Sequence, residues 1–111
     1  MVRVWSGATR HEDADAYLAY LERTGFAHYA STPGNLGVLA LRRIVDGRAE
    51  LLLLTFWESE RAIRQFAGDD IQRAVFYPED ERFLVRADMH AQHYEIAFAS
   101  GSGIPASTDA R

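Results

Sequence analysis

Four histidines, His11, His28, His90 and His93, are the side chains here best suited to moving a proton near neutral pH. An imidazole with an ordinary pKa of ~6.5 both takes and returns a proton there. His90 and His93 stand three apart in a run that reads as a strand, so they point to opposite faces and do not chelate one metal. His11 reads as a solvated residue of a first helical turn. His28 follows the first helix beside Tyr29, within reach of a cavity. By parity His90 shares a face with Tyr94, Ile96 and Phe98, and His93 shares the other with Glu95. If the first of these faces meets the helices, His90 and Tyr94 line one cavity with Trp57, and His93 faces away from it. No cysteine is present, which excludes thiolate metal sites, a Cys nucleophile and disulfides. The sequence also lacks a glycine-rich phosphate loop and metal-spaced carboxylates on one helix face. No metal and no cofactor is expected.

The elements that must position these residues are organised around Leu51–Ala62. Leu51, Leu53 and Trp57 take one side of a strand, and Leu52, Leu54 and Phe56 the other. A strand apolar on both faces is covered on both. Ser59 then caps a helix, with Glu60 in its first turn, placing Trp57 where a strand ends and a helix opens. Upstream, Val2 to Ala8 reads as a first strand, with Arg3, Trp5 and Gly7 sharing a face. Thr9-Arg10-His11-Glu12 has capping-box spacing and predicts a helix start, and Gly25 predicts its end. Ala14, Tyr17, Leu18 and Leu21 form one stripe at helical spacing. Phe26 to Pro33 reads as a connection. Asn35–Val45 and Arg48–Glu58 read as a hairpin around Asp46-Gly47.

After the Ser59 helix, Gly68 reads as a stop. Asp69 or Asp70 is expected to cap a further turn carrying Ile71, Ala74 and Val75, closed by Pro78. Glu79 to Arg82 reads as charged surface, with Phe83 and Leu84 as anchors. Met89 to Ala99 is the expected last strand. The fold class is therefore α+β, a ferredoxin-like βαββαβ chain with an antiparallel sheet. One domain spans 1–99, and 100–111 reads as a disordered tail. Because both faces of the central hairpin are apolar, a homodimer with two sheets packed together is expected. With 111 residues there is core enough for one domain. The net charge of -4 argues against nucleic acid as a partner. No apolar run approaches the ~20 residues that span a bilayer, so a cytoplasmic protein without a membrane partner is expected.

Phe56-Trp57-Glu58-Ser59-Glu60-Arg61-Ala62, with Phe66 and Ala67 beyond it, resembles the Trp-(Glu/Asp)-Ser-x-x-Ala segment of the antibiotic biosynthesis monooxygenase-like superfamily. Pro33-Gly34-Asn35-Leu36-Gly37 and His93-Tyr94-Glu95 look like it too. The resemblance spans roughly residues 2 to 98. It implies a dimeric α+β barrel with a cavity between helices and sheet in each subunit. It also implies Trp57 as a cavity residue. Catalytic relatives include cofactor-independent quinol-forming oxygenases and heme-degrading oxygenases. The heme-degrading branch uses an asparagine on the first strand and a histidine in the second helical region. Here residues 1–34 hold no Asn, and no His lies between Tyr29 and Met89. That argues against heme degradation, since iron needs an axial ligand.

A cofactor-free oxygenase needs an apolar cavity for a planar aromatic, a base for a phenolic proton, and a group to hold the anion. Trp57, Phe66, Phe76 and Tyr17 supply candidate walls. His28 or His90 is the candidate base, and Arg42 or Tyr94 the candidate anion holder. The expected function is cofactor-independent monooxygenation of a small aromatic or polyketide-like substrate. The alternative is a non-catalytic dimeric module of the same fold that binds a small apolar ligand or serves a structural role.

Overall fold

The Leu51–Trp57 run lies where its two apolar faces require, inside a sheet. In the computed structural model, which describes residues 1–104, β3 (Arg48–Trp57) runs between β1 (Val2–Arg10) and β2 (Asn35–Val45). β4 (Leu84–Ala87) and β5 (Gln92–Tyr94) both pair with the far side of β1. All pairings are antiparallel, and the order β2-β3-β1-β4 is the ferredoxin-like one. The β2–β3 turn needs positive φ twice, and Asp46 (51°) and Gly47 (77°) supply it.

The helices α1 (Ala14–Arg23), α2 (Gly25–Ser31), α3 (Glu60–Ala67) and the short α4 (Asp80–Phe83) complete the chain. Ser59 caps α3 as expected, its hydroxyl accepting from the Ala62 amide at 3.2 Å. Gly68 ends α3 at a φ of 90°. Two buried clusters join the layers. Tyr17, Tyr20 and Leu21 pack on Leu51 and Leu53, and Ala62, Ile63 and Phe66 pack with Trp57. Each large side chain removed from water contributes ~1.5–3 kcal/mol.

Several local expectations fail, each because tertiary contacts outweigh a local signal. Thr9 does not cap a helix. It is fully buried in β1, opposite Ala49, and a 3-10 turn at His11–Asp13 precedes α1. The first helix does end where expected, at Arg23, with Thr24 (φ -119°, ψ -88°) and Gly25 after it, but the chain restarts at once as α2, where a connection was expected. The segment after Asp70 is not helical. It turns on the Asp70 side chain, which accepts from the Gln72 amide. It then runs beside residues 89–91, bonded from Ala74 to Met89 and from Ala91 to Gln72.

Of the expected last strand over Met89–Ala99, only Gln92–Tyr94 (β5) pairs in the sheet, and a strand that was not expected, β4, precedes it at Leu84–Ala87, where Leu84 was read as an anchor. Asp80, expected on a charged surface, is buried. Residues 105–111, most of the expected tail, lie outside the described residues, while Gly101–Ile104 form a turn.

The helices cover the sheet face that carries Arg3, Trp5, Leu51, Leu53 and Trp57. On the other face Leu39, Leu41 and Leu52 remain 47%, 46% and 38% exposed. Among the described residues no helix is long and apolar enough to cross a membrane.

Candidate functional site

The inward face of β1 begins with a charge. Arg3 stands opposite Thr55 on one side and His93 on the other, and only 4% of it is exposed. Its Nη1 donates to the Ile71 carbonyl, and its Nη2 donates to the Arg73 carbonyl at 2.9 Å. Nη1 also lies 3.0 Å from His93 Nε2. A guanidinium has only donors, so Nε2 accepts, and His93 is neutral with its proton on Nδ1. Burial, reinforced by the Arg3 charge and opposed by Glu60, holds His93 below the usual imidazole range. Arg3 also sits over the Phe66 ring, 5.6 Å from its centroid. Among the described residues no carboxylate forms an ion pair with it.

Across from Arg3 the helical layer presents tyrosines. Tyr17 donates to Asp80 Oδ1 at 3.1 Å, and the Tyr77 amide donates to Oδ2 at 2.7 Å. Burial raises the Asp80 pKa, and these two hydrogen bonds pull it back. The Tyr77 hydroxyl is 2.7 Å from His28 Nδ1, and the His28 ring leans on Phe66 at 4.5 Å. Burial, with the Tyr29 and Asp80 charges, pushes the Tyr77 phenol above its ordinary range. Tyr29 is pushed up to about 12, mainly by burial, with Arg3 opposing.

Arg3, Trp5, Tyr17, Tyr29, Phe66 and Tyr77 thus line one small space of about 20 Å³, room for a single water. Tyr77 and Asp80 also wall a second, outer groove of about 500 Å³, which Phe76, Pro78, Leu84 and Met89 line.

Of the residues the sequence pointed to, Tyr17 and Phe66 are on the inner wall, and His28 joins it through Tyr77. Trp57 is fully buried one layer behind. Its indole donates to Thr55 Oγ1 at 2.8 Å and packs on Phe66 and Tyr29, so it backs the cavity rather than rimming it. Phe76 is 39% exposed, lines the outer groove and meets Trp5 edge-on. Arg42 is at the surface in an ion pair with Asp15 at 2.9 Å, away from the cavity. His90 is exposed beside Arg73, and Tyr94 is exposed opposite Val2 on the outer sheet face.

The expected facing of the last strand is therefore reversed. The Arg3–His93 pairing turns His93 inward and Tyr94 outward. Arg3, Tyr29, Asp80 and inward-facing His93 were not legible as site residues. The one available signal was Arg3 sharing a strand face with Trp5.

No family model and no curated protein sequence matches the chain. Among solved structures it is similar to an arginine-to-serine mutant of MhuD with two manganese protoporphyrin IX bound per active site. The TM-score is 0.57 at 21% identity, over 91% of this chain and 99% of that one. At that identity the likeness carries architecture alone. With the strand order and the layering above, it gives this chain an antibiotic biosynthesis monooxygenase-like fold.

Proposed function

We propose that this protein binds a small aromatic ligand between its helices and its sheet and oxidises it with dioxygen, using no metal or organic cofactor. The observation that supports this is the convergence of Arg3 and the Tyr77–His28 pair on one aromatic-walled cavity. A phenolic substrate gives its proton to the Tyr77 oxygen while Tyr77 passes its own to His28 Nδ1. Tyr77 relays rather than keeps a charge, because burial disfavours its anion. Arg3 holds the phenolate. The electron-rich ring carbon para to it, a CH2 in its keto form, then reduces dioxygen. A C–O bond forms, and the hydroperoxide loses water to leave a carbonyl, so that CH2 and O2 become C=O and H2O. Arg3 and Tyr77 take the place of Arg42, Tyr94 and His90 in this reading.

The porphyrin of the structural neighbour does not fit these residues. The outer groove has no imidazole on its wall, and among the described residues no three His, Asp or Glu side chains gather to hold a metal. No step is routed through it.

The 20 Å³ volume favours a second reading, a non-catalytic binding or structural module. Oxygen uptake with a panel of phenols and naphthols that carry hydrogen on the para carbon separates the two. The oxygenase reading expects uptake that falls ~10²-fold or more in His28→Ala and Tyr77→Phe. No uptake with any of them by the folded protein leaves the second. A homodimer is part of either reading, with the exposed Leu39, Leu41 and Leu52 face covered by a second copy.

A further inference from the structure

Arg3 is a buried cation whose partners are two backbone carbonyls and a neutral histidine. Burying an unpaired charge is costly, and the cost falls when an anion joins it. Asp80 shares the cavity but is held by Tyr17 and the Tyr77 amide, and among the described residues no carboxylate pairs with Arg3. Arg3 is therefore a site at which a bound anion would be stabilised. The inner space is too small for more than a headgroup.

Beyond Tyr77 and Asp80, which line both spaces, lies the outer groove of about 500 Å³, within the range of small-molecule sites. Its other walls are the apolar Phe76, Pro78, Leu84, Ala87 and Met89 and one charged side chain, Glu81, whose carboxylate turns an anionic headgroup away from the outer end. Asp80 is fastened from two sides. The Tyr77 backbone is held at its amide, and its hydroxyl is held by the single bond to His28. Its ring packs over Gly25, where even a Cβ would come within 3.5 Å of it.

Resting on the reading of the inner cavity as a ligand site, we infer that the ligand is an elongated apolar organic anion. Its carboxylate or phenolate headgroup meets Arg3, its body lies in the outer groove, and the Tyr77 ring turns about its own axis, its hydroxyl staying at His28, to join the two spaces. Charge complementarity fixes the orientation. The cation is at the inner end and the apolar walls are at the outer one, so a neutral ligand of the same shape loses the headgroup contact, and a short anion loses the groove.

The test is a calorimetric titration of the full chain with three probes of matched length: a 4-hexylbenzoate, the corresponding benzyl alcohol, and a hexyl-substituted nitrophenol on either side of its own pKa. The carboxylate, the ionised phenol or both bind at least tenfold tighter than the alcohol, and which of them does so identifies the headgroup. Arg3→Gln removes that difference. Because Arg3 also holds Ile71 and Arg73, Met89→Trp serves as an independent variant. Met89 is 64% exposed and lines the groove, so a folded protein with at least tenfold weaker binding of every probe is expected. Equal binding of alcohol and anions by the wild type, or affinities unchanged in Met89→Trp, overturns the inference. Anion binding without oxygen uptake overturns only the oxygenase reading. Oxidation of short para-unsubstituted phenols that Met89→Trp leaves untouched overturns only this one.

Discussion

Replacing Tyr17 with Phe removes one oxygen atom from a residue that is 1% exposed. That oxygen donates to Asp80 Oδ1 at 3.1 Å, and Asp80 is itself 4% exposed, so bulk water does not replace the lost donor. A hydrogen bond to a charged group contributes ~1.5–3 kcal/mol, and its loss leaves the carboxylate with the Tyr77 amide alone. We expect Tyr17→Phe to lose about 2 kcal/mol at neutral pH. At ~4 °C per kcal/mol for a domain of this size, Tm falls by about 8 °C.

The effect depends on pH. The folded Asp80 pKa is already above its unfolded value, so the carboxyl favours the folded state most at low pH, and that contribution is lost as pH rises through the folded pKa. Without Tyr17 the folded pKa rises further, and the loss at neutral pH grows. The deficit of the variant is therefore largest at neutral pH and shrinks as acid protonates Asp80. Urea unfolding followed by circular dichroism across that range, for each protein and for both in an Asp80→Asn background, measures it. A neutral-pH cost below ~0.5 kcal/mol, or a cost that does not change with pH, refutes the assignment of Tyr17 and Asp80 as a coupled pair.

Three further outcomes are expected. Phe66→Ala opens a hole among Tyr29, Trp57, His28 and Arg3 and costs ~3–5 kcal/mol in urea unfolding; a cost near zero contradicts the packing. His93 has a folded pKa below its unfolded ~6.5, so its contribution is intact above that value and is lost as pH falls through it towards the lowered folded pKa. His93→Gln, whose side-chain oxygen still accepts from Arg3, flattens the stability curve over that window, and an unchanged slope removes His93 as its source. Leu41→Glu with Leu52→Glu places charge on the open sheet face. Light scattering should change from dimer to monomer with the circular dichroism spectrum intact, and a wild type that is monomeric at every concentration rules the dimer out.

The sequence by itself determined the elements whose signals are local or strictly periodic. Asp46-Gly47 made the hairpin because few other pairs accept two positive φ values. Ser59 and Gly68 bounded α3, and Leu51–Phe56, apolar on both faces but for Thr55, read as an interior strand. With the order of the elements those signals point to the ferredoxin-like fold class, while α2 and β4 were not foreseen. The site was decided by tertiary structure. Parity says that His90 and His93 face opposite ways, but not which way is in. Arg3 settled that by pairing with His93 in the register of β1 and β5. Asp80 sits in a run of charges that reads as solvated, and its burial rests on Tyr17, sixty-three positions away, beside the local Tyr77 amide. Hydrogen bonds between residues so far apart depend on the packing of layers, which no local pattern encodes.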